Sequence, residues 1–255
     1  MNATGQTIVT LRNVGKTFER GTVALAGLNL EVREGEFVSL LGPSGCGKST
    51  ALRIVAGLST ASRGVVEWPN GAGQIGFVFQ EPTLMPWADV RANVQLPLRL
   101  VHADQASSQD AVKQSLDRVG LTDFADVFPR ELSGGMKMRA SIARALVTEP
   151  RLLLMDEPFA ALDEITRFKL NNDLIAVWNQ LRRTVVFVTH SVFESVYLSQ
   201  RILVMTPRPG RIFSEIVIDA PYPRDEHFRT SGEYGAFCRQ VAEALRRAMV
   251  VEGAP

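Results

Sequence analysis

The sequence predicts an α/β fold: a core of mostly parallel sheet, an N-terminal antiparallel β subdomain and an inserted helical subdomain. Three observations carry this expectation. The runs at 37–41, 152–155 and 185–188 are almost wholly apolar, as strands buried on both faces of a parallel sheet are. A glycine-rich stretch, Gly42-Pro43-Ser44-Gly45-Cys46-Gly47-Lys48-Ser49-Thr50, joins the first run to a helix-like run, Ala51 to Leu58, with Gly57 as its stop. Between 85 and 150 the texture turns helical.

In chain order, residues 7–13, 23–33 and 64–68 alternate or carry β-branched apolar residues and read as antiparallel strands. Further strand-like runs recur at 75–79, 151–155, 184–189, 201–206 and 211–218. Helices are expected over 89–101, 107–119 and 133–148. In the last, Met136, Ala140, Ala143 and Val147 recur at helical spacing, and Ser133 suits the N-cap. The tail, roughly 232–250, sets Phe237, Val241, Leu245 and Met249 on one face and reads as a packed terminal helix; Arg246 and Arg247 hint at a surface contact. There is no internal repeat. The expected organisation is a single domain over 1–255, with a core from about 1–84 and 150–230, a helical subdomain over about 85–149 and a terminal helix over about 231–255.

Bulk properties narrow the partners. A chain of 255 residues can bury a substantial core. The net charge of +1 gives no broad pull toward nucleic acid or anionic lipid, so no nucleic-acid partner is expected. Of the two cysteines, Cys46 lies in the glycine-rich stretch, so no structural disulfide is expected, and a reducing compartment is. Met1 to Thr10 lacks a basic stretch followed by an apolar core, so no secretory signal is expected. No apolar run approaches the ~20 residues of a membrane span. Docking onto a membrane protein stays open.

The spacing G-x-x-x-x-G-K-S, from Gly42 through Gly47 and Lys48 to Ser49 and between strand and helix, is that of a phosphate-binding loop for a nucleotide such as ATP. Its glycines let backbone N–H groups approach phosphate oxygens, and the following helix points its positive end at the same anion. Lys48 adds a full charge near the β and γ phosphates, and the Ser49 hydroxyl suits Mg²⁺. Cys46 stands beside that helix N-terminus, where thiol pKa falls, so alkylation there is expected to block activity and bound ATP to protect. Leu152–Met155 lead into Asp156 and Glu157. Asp156 is expected to hold Mg²⁺ through water, and Glu157 to polarise a water near the γ phosphate. Read alone, the pair is equally a buried strand ending in surface acids. Gln80 ends the run 76–79: either a turn residue or a group that reaches Mg²⁺ and the water. His190 ends 185–189: either a structural hydrogen-bonder or a catalytic group. All these strand ends are expected on the one rim where open α/β sheets bind ligands.

Leu132-Ser133-Gly134-Gly135-Met136 is more than a generic phosphate-loop enzyme needs. Together with 42–49, Gln80, Leu152–Glu157, Ala161-Leu162-Asp163 and His190, it makes nearly the whole chain resemble an ABC transporter ATPase subunit, with a P-loop NTPase core. The resemblance implies a homodimer in which Ser133, Gly134 and Gly135 serve the ATP of the second copy, with Asp163 at the dimer seam. It implies integral membrane permease subunits and, indirectly, an extracytoplasmic solute-binding protein. It also implies residence on the cytoplasmic face of the inner membrane. Phe18 is either a core aromatic or the adenine-stacking aromatic of the family. The signature often ends in Gln; here it is Met136. That variant, with 80–87 and Met205-Thr206-Pro207-Arg208-Pro209-Gly210, resembles importers of nitrate, taurine and alkanesulfonates. The groove for a permease helix is implied over Gln80 to Asn93. Leu84, Met85 and Trp87 are either its exposed apolar floor or plain packing.

Three other readings compete. A soluble ABC ATPase acting on DNA or ribosomes usually has two nucleotide domains or long arms, whereas this sequence carries a single set of motifs, no coiled-coil heptads and almost no net charge. A phosphate-loop kinase leaves 132–136 unexplained. A nucleotide-holding regulatory module does not need Glu157 and His190.

Overall fold

A computed structural model of the chain describes residues 5–250. Residues 1–4 and 251–255, the outer ends of the expected N-terminal β subdomain and terminal helix, lie outside the described residues. The chain divides into two compact units, 1–73 with 182–255, and 74–181.

The first unit opens with an antiparallel sheet of order β2-β1-β4: β1 (Thr7–Thr17), β2 (Val23–Arg33) and β4 (Arg63–Glu67). The apolar run becomes β3 (Phe37–Leu41), all five residues buried. It pairs in parallel with β7 (Thr184–Thr189) on one side and β8 (Arg201–Met205) on the other. β9 (Ile212–Val217) closes this part of the sheet antiparallel to β8. α1 (Lys48–Val55), α6 (Val192–Leu198), α7 (Glu226–Thr230) and α8 (Gly232–Val250) complete the unit. Such strands are buried on both faces because α1 packs on β7, α6 on β3 and β7, and α8 on β8 and β9.

The terminal helix does pack, but on a stripe offset from the expected one. Tyr234, Cys238, Val241 and Ala248 are buried, whereas Met249 is 55% exposed. Positions 234, 238, 241 and 248 recur at helical spacing, so Ala248 falls on the packed stripe and its neighbour Met249 falls off it. Ahead of it, Arg224 is 2% exposed. Its guanidinium donates to the carbonyls of Val196, Tyr197 and Ser199 at the end of α6, and to those of Ile218 and Ala220. A cation there meets the negative end of the helix and its orphan carbonyls.

The second unit holds a parallel pair, β5 (Ile75–Val78) and β6 (Leu152–Asp156), with α2 (Val90–Leu100), α3 (Gln105–Arg118), α4 (Gly134–Leu146) and α5 (Glu164–Leu181). Each of the first three helices has a side-chain cap. The Asp89 carboxylate accepts from Ala92 N at 2.7 Å, that of Asp104 from Ala106 N and Ser107 N at 3.1 Å each, and the Ser133 hydroxyl from Met136 N at 3.3 Å. Among the described residues no helix is long and apolar enough to cross a membrane.

Candidate nucleotide-binding and hydrolysis site

In the first unit, β3 delivers Gly42 and α1 starts at Lys48. Gly47 caps α1 at φ +103, and a Cβ there would meet Leu25 Cδ2 at 2.7 Å and the Ala24 carbonyl at 2.8 Å. Only glycine satisfies both demands. Lys48 is 3% exposed, and its ammonium donates to the carbonyls of Gly42 at 2.8 Å and Pro43 at 2.9 Å. A buried cation has to be held by acceptors, and these two fix it at the root of the loop. Ser44 and Gly45 are exposed, and Ser49 and Thr50 half-buried. The loop is thus a cradle of backbone groups, with a cation at its root and a helix N-terminus behind it. It fits a phosphate chain.

Cys46 does not match the expectation of an accessible thiol. It is 1% exposed, with Sγ turned toward Gly42, where an added Cβ would lie 2.9 Å away. At 1% exposure the thiol is shielded from an alkylating reagent.

β3 and β7 run in parallel with Leu41 beside Thr189, so Gly42 and His190 leave adjacent strands at the same end. His190 is exposed. Phe18 is 46% exposed, with the Lys16 ammonium 5.5 Å from its ring centroid, so it is no core aromatic.

In the second unit, β5 and β6 are parallel with Val78 beside Met155. Gln80 and Glu157 therefore follow neighbouring strands at the same end. Asp156 is 6% exposed. Glu157, next before Pro158, sits at φ +46, a left-handed conformation uncommon outside glycine. Such strain persists where the surroundings over-determine the backbone, and it clusters at functional sites. No signal in the sequence marks it.

The signature segment lies against the start of α5. A Cβ on Gly135 would come within 2.7 Å of Thr166 Cγ2, and one on Gly134 within 3.3 Å of Leu162 Cδ2. Ser133 and Gly134 are exposed. Asp163 carries a role the sequence reading missed. It is the N-terminal cap of α5, accepting from Thr166 N at 2.9 Å, and hydrogen bonds from Thr166 hold its carboxyl below the usual range. The pattern Asp163-x-x-Thr166 just ahead of a helix was the available clue.

Two more residues were not singled out. Asn93 is fully buried, accepting from Met85 N at 2.7 Å and donating to the carbonyls of Met85, Ala88 and Asp89. Arg144 donates to the carbonyls of Pro82 and Thr83, both at 2.8 Å. Together they pin the segment after Gln80. There, Leu84 and Met85 are half-buried while Trp87 is 77% exposed. A polar side chain on an apolar helix face was the only cue for Asn93.

Residues 25–160 match the family described as ABC transporter. A putative ATP-binding protein of Brucella abortus is 47% identical over 230 residues, covering 88% of each chain. An aliphatic sulfonates import ATP-binding protein of Pseudomonas syringae is 48% identical over 205 residues, covering 80% of this chain and 85% of that one. Among solved structures, a dimeric ATP-binding cassette in a post-hydrolysis state with ADP and Pi superposes with a TM-score of 0.74 at 34% identity, covering 84% of this chain and 100% of that one.

The strand–glycine loop–helix unit, the buried lysine and these likenesses define an ATP-binding α/β protein with the ABC ATPase fold. The chain belongs to the ABC transporter family, as an ATP-hydrolysing subunit.

Proposed function

We propose that the chain energises a bacterial importer of a small anion of the alkanesulfonate type, the class to which taurine belongs and which nitrate resembles in charge. It works as a homodimer on the cytoplasmic face of the inner membrane, beneath integral permease subunits that receive solute from an extracytoplasmic binding protein. The buried Lys48 ammonium within its loop carries the nucleotide half of this reading. The sulfonate-import relative supports the solute half.

In this reading Lys48 exchanges the carbonyls of Gly42 and Pro43 for phosphate oxygens, while the N–H groups of the loop and of α1 donate to the remaining phosphate oxygens. Ser49, Gln80 and Asp156, the last through water, would hold Mg²⁺, which would neutralise charge on the phosphates. Glu157 takes a proton from the attacking water, and His190 and Gln80 hold that water and the γ phosphate in register. Phe18 stacks on the adenine, a role its exposure supports. Ser133, Gly134 and Gly135 of the partner subunit seal the γ phosphate, and Asp163 stands at the seam. ATP favours the closed dimer, and hydrolysis returns it to the open one.

The test is twofold. Purified protein should release phosphate from MgATP, and should co-purify with an integral membrane protein from detergent extracts. Cells lacking the chain should lose growth on an alkanesulfonate as sole sulfur source. Phosphate release with unimpaired sulfonate growth would leave an ABC ATPase of another transporter type.

A further inference from the structure

The segment Met205-Thr206-Pro207-Arg208-Pro209-Gly210 has no part in the chemistry above, yet in the first unit it bears on the phosphate loop at three points. Arg208 Nε donates to the Gly45 carbonyl at 3.2 Å, and a guanidinium nitrogen of Arg208 lies 3.0 Å from where a Cβ on Gly45 would stand. Gly210 abuts the Cys46 carbonyl so closely that a Cβ there would overlap it. Met205 lies against Gly42, 3.2 Å from its would-be Cβ.

The turn is itself stiff. The Thr206 hydroxyl donates toward the carbonyls of Pro207 and Pro209, at 3.1 and 3.2 Å, and accepts from Arg211 N at 3.1 Å. Thr206 N donates to the Arg211 carbonyl at 2.9 Å. Gly210 is tied to β2 in both directions, N–H to the Ala24 carbonyl at 2.9 Å and carbonyl to Ala26 N at 3.1 Å. Arg208 is the exposed residue at its tip. The turn therefore presents a cation, on a rigid support, to the loop that receives a polyanion.

We infer that Arg208 is a positioning residue for nucleotide binding. By holding the Gly45 carbonyl it fixes the conformation of the loop, and its charge adds to the attraction for phosphate. This inference rests on the nucleotide-binding reading of 42–50. At an exposed arginine the charge is screened, so losing this hydrogen bond corresponds to an affinity change of about three- to tenfold, the range of an uncharged one.

The experiment is a titration of MgATP and MgADP into purified wild type, Arg208→Ala, Arg208→Lys and Lys48→Ala, with steady-state phosphate release alongside. Arg208→Ala should raise Kd and KM about three- to tenfold with kcat within about twofold, and Arg208→Lys should recover most of the loss. A purely structural residue would lower kcat and melting temperature together and leave KM alone. If wild type binds, Lys48→Ala does not, and Arg208→Ala binds like wild type, the role assigned to Arg208 is wrong while the nucleotide site stands. If wild type fails to bind nucleotide, the reading beneath it falls too.

Discussion

Lys48 and Glu157 differ in how far the sequence reveals them. Lys48 is legible because its role is local: the glycines and the flanking strand and helix dictate where its ammonium sits. Its burial makes the charge consequential. Lys48→Ala should weaken MgATP binding by at least about tenfold in a titration; unchanged affinity would refute the loop's role. Glu157 is legible as a carboxylate after a strand. Its left-handed backbone is not, because a glutamate's own propensity does not favour that conformation. Glu157→Gln should cut phosphate release by roughly 10²–10⁴-fold while leaving ATP binding intact, so that light scattering records an ATP-held dimer; a normally hydrolysing variant would remove Glu157 from the mechanism. Cys46 shows the opposite failure. Its position next to a helix start was visible, but its closure beneath the loop depends on Gly42, which comes back over it only in three dimensions.

At the scale of elements, helices with side-chain caps and one apolar stripe were read correctly from their spacing, and so were strands buried on both faces. α5 was not anticipated. Apolar residues lie all around it, with Ile165 69% and Phe168 40% exposed while Leu174 and Trp178 are buried, so no clean period of 3.6 stands out. Its contact with the signature was equally hidden. Gly135→Ala should destabilise the protein, because the new methyl meets Thr166 Cγ2, and Thr166→Ser, which removes that methyl, should rescue it. Urea titrations of the two singles and the double measure the coupling; strict additivity would show that the close approach costs nothing. Asn93 governs the segment after Gln80 in the same unit. Asn93→Ala removes the acceptor of the Met85 N–H and a donor to the Ala88 carbonyl, while the Met85 and Asp89 carbonyls keep their backbone donors Ala88 N and Asn93 N, at a cost of roughly 1–3 kcal/mol in unfolding free energy. A loss within error of zero would mean that water replaces the amide.

Over the whole molecule, pH acts through a few carboxylates. Glu31 is held low by hydrogen bonds from Thr7 and Arg33, Asp104 by the Ser107 N–H, Asp163 by Thr166 and Glu243 by Arg246. A depressed folded pKa contributes stability that is present above the unfolded carboxylate value, about 4, and is lost as pH falls through the folded value. Asp173 works the other way: burial raises it by more than Arg139 lowers it, so its penalty is relieved in acid. With four groups against one, the urea midpoint should drop between pH 6 and pH 3.5, and a flat profile would mean that these contacts are absent in solution. None of this was visible in the near-zero net charge, because what matters is which carboxylate meets which donor.

The exposed indole of Trp87 has a practical consequence. The chain has three tryptophans: Trp178 is 2% exposed, Trp68 is partly covered and Trp87 is 77% exposed. Iodide, a collisional quencher that stays in water, should therefore extinguish chiefly the emission of Trp87. Docking of a hydrophobic partner segment onto residues 84–87 would shift that emission to the blue and shield it. The protein thus carries its own dye, and assembly can be followed optically without attaching a label.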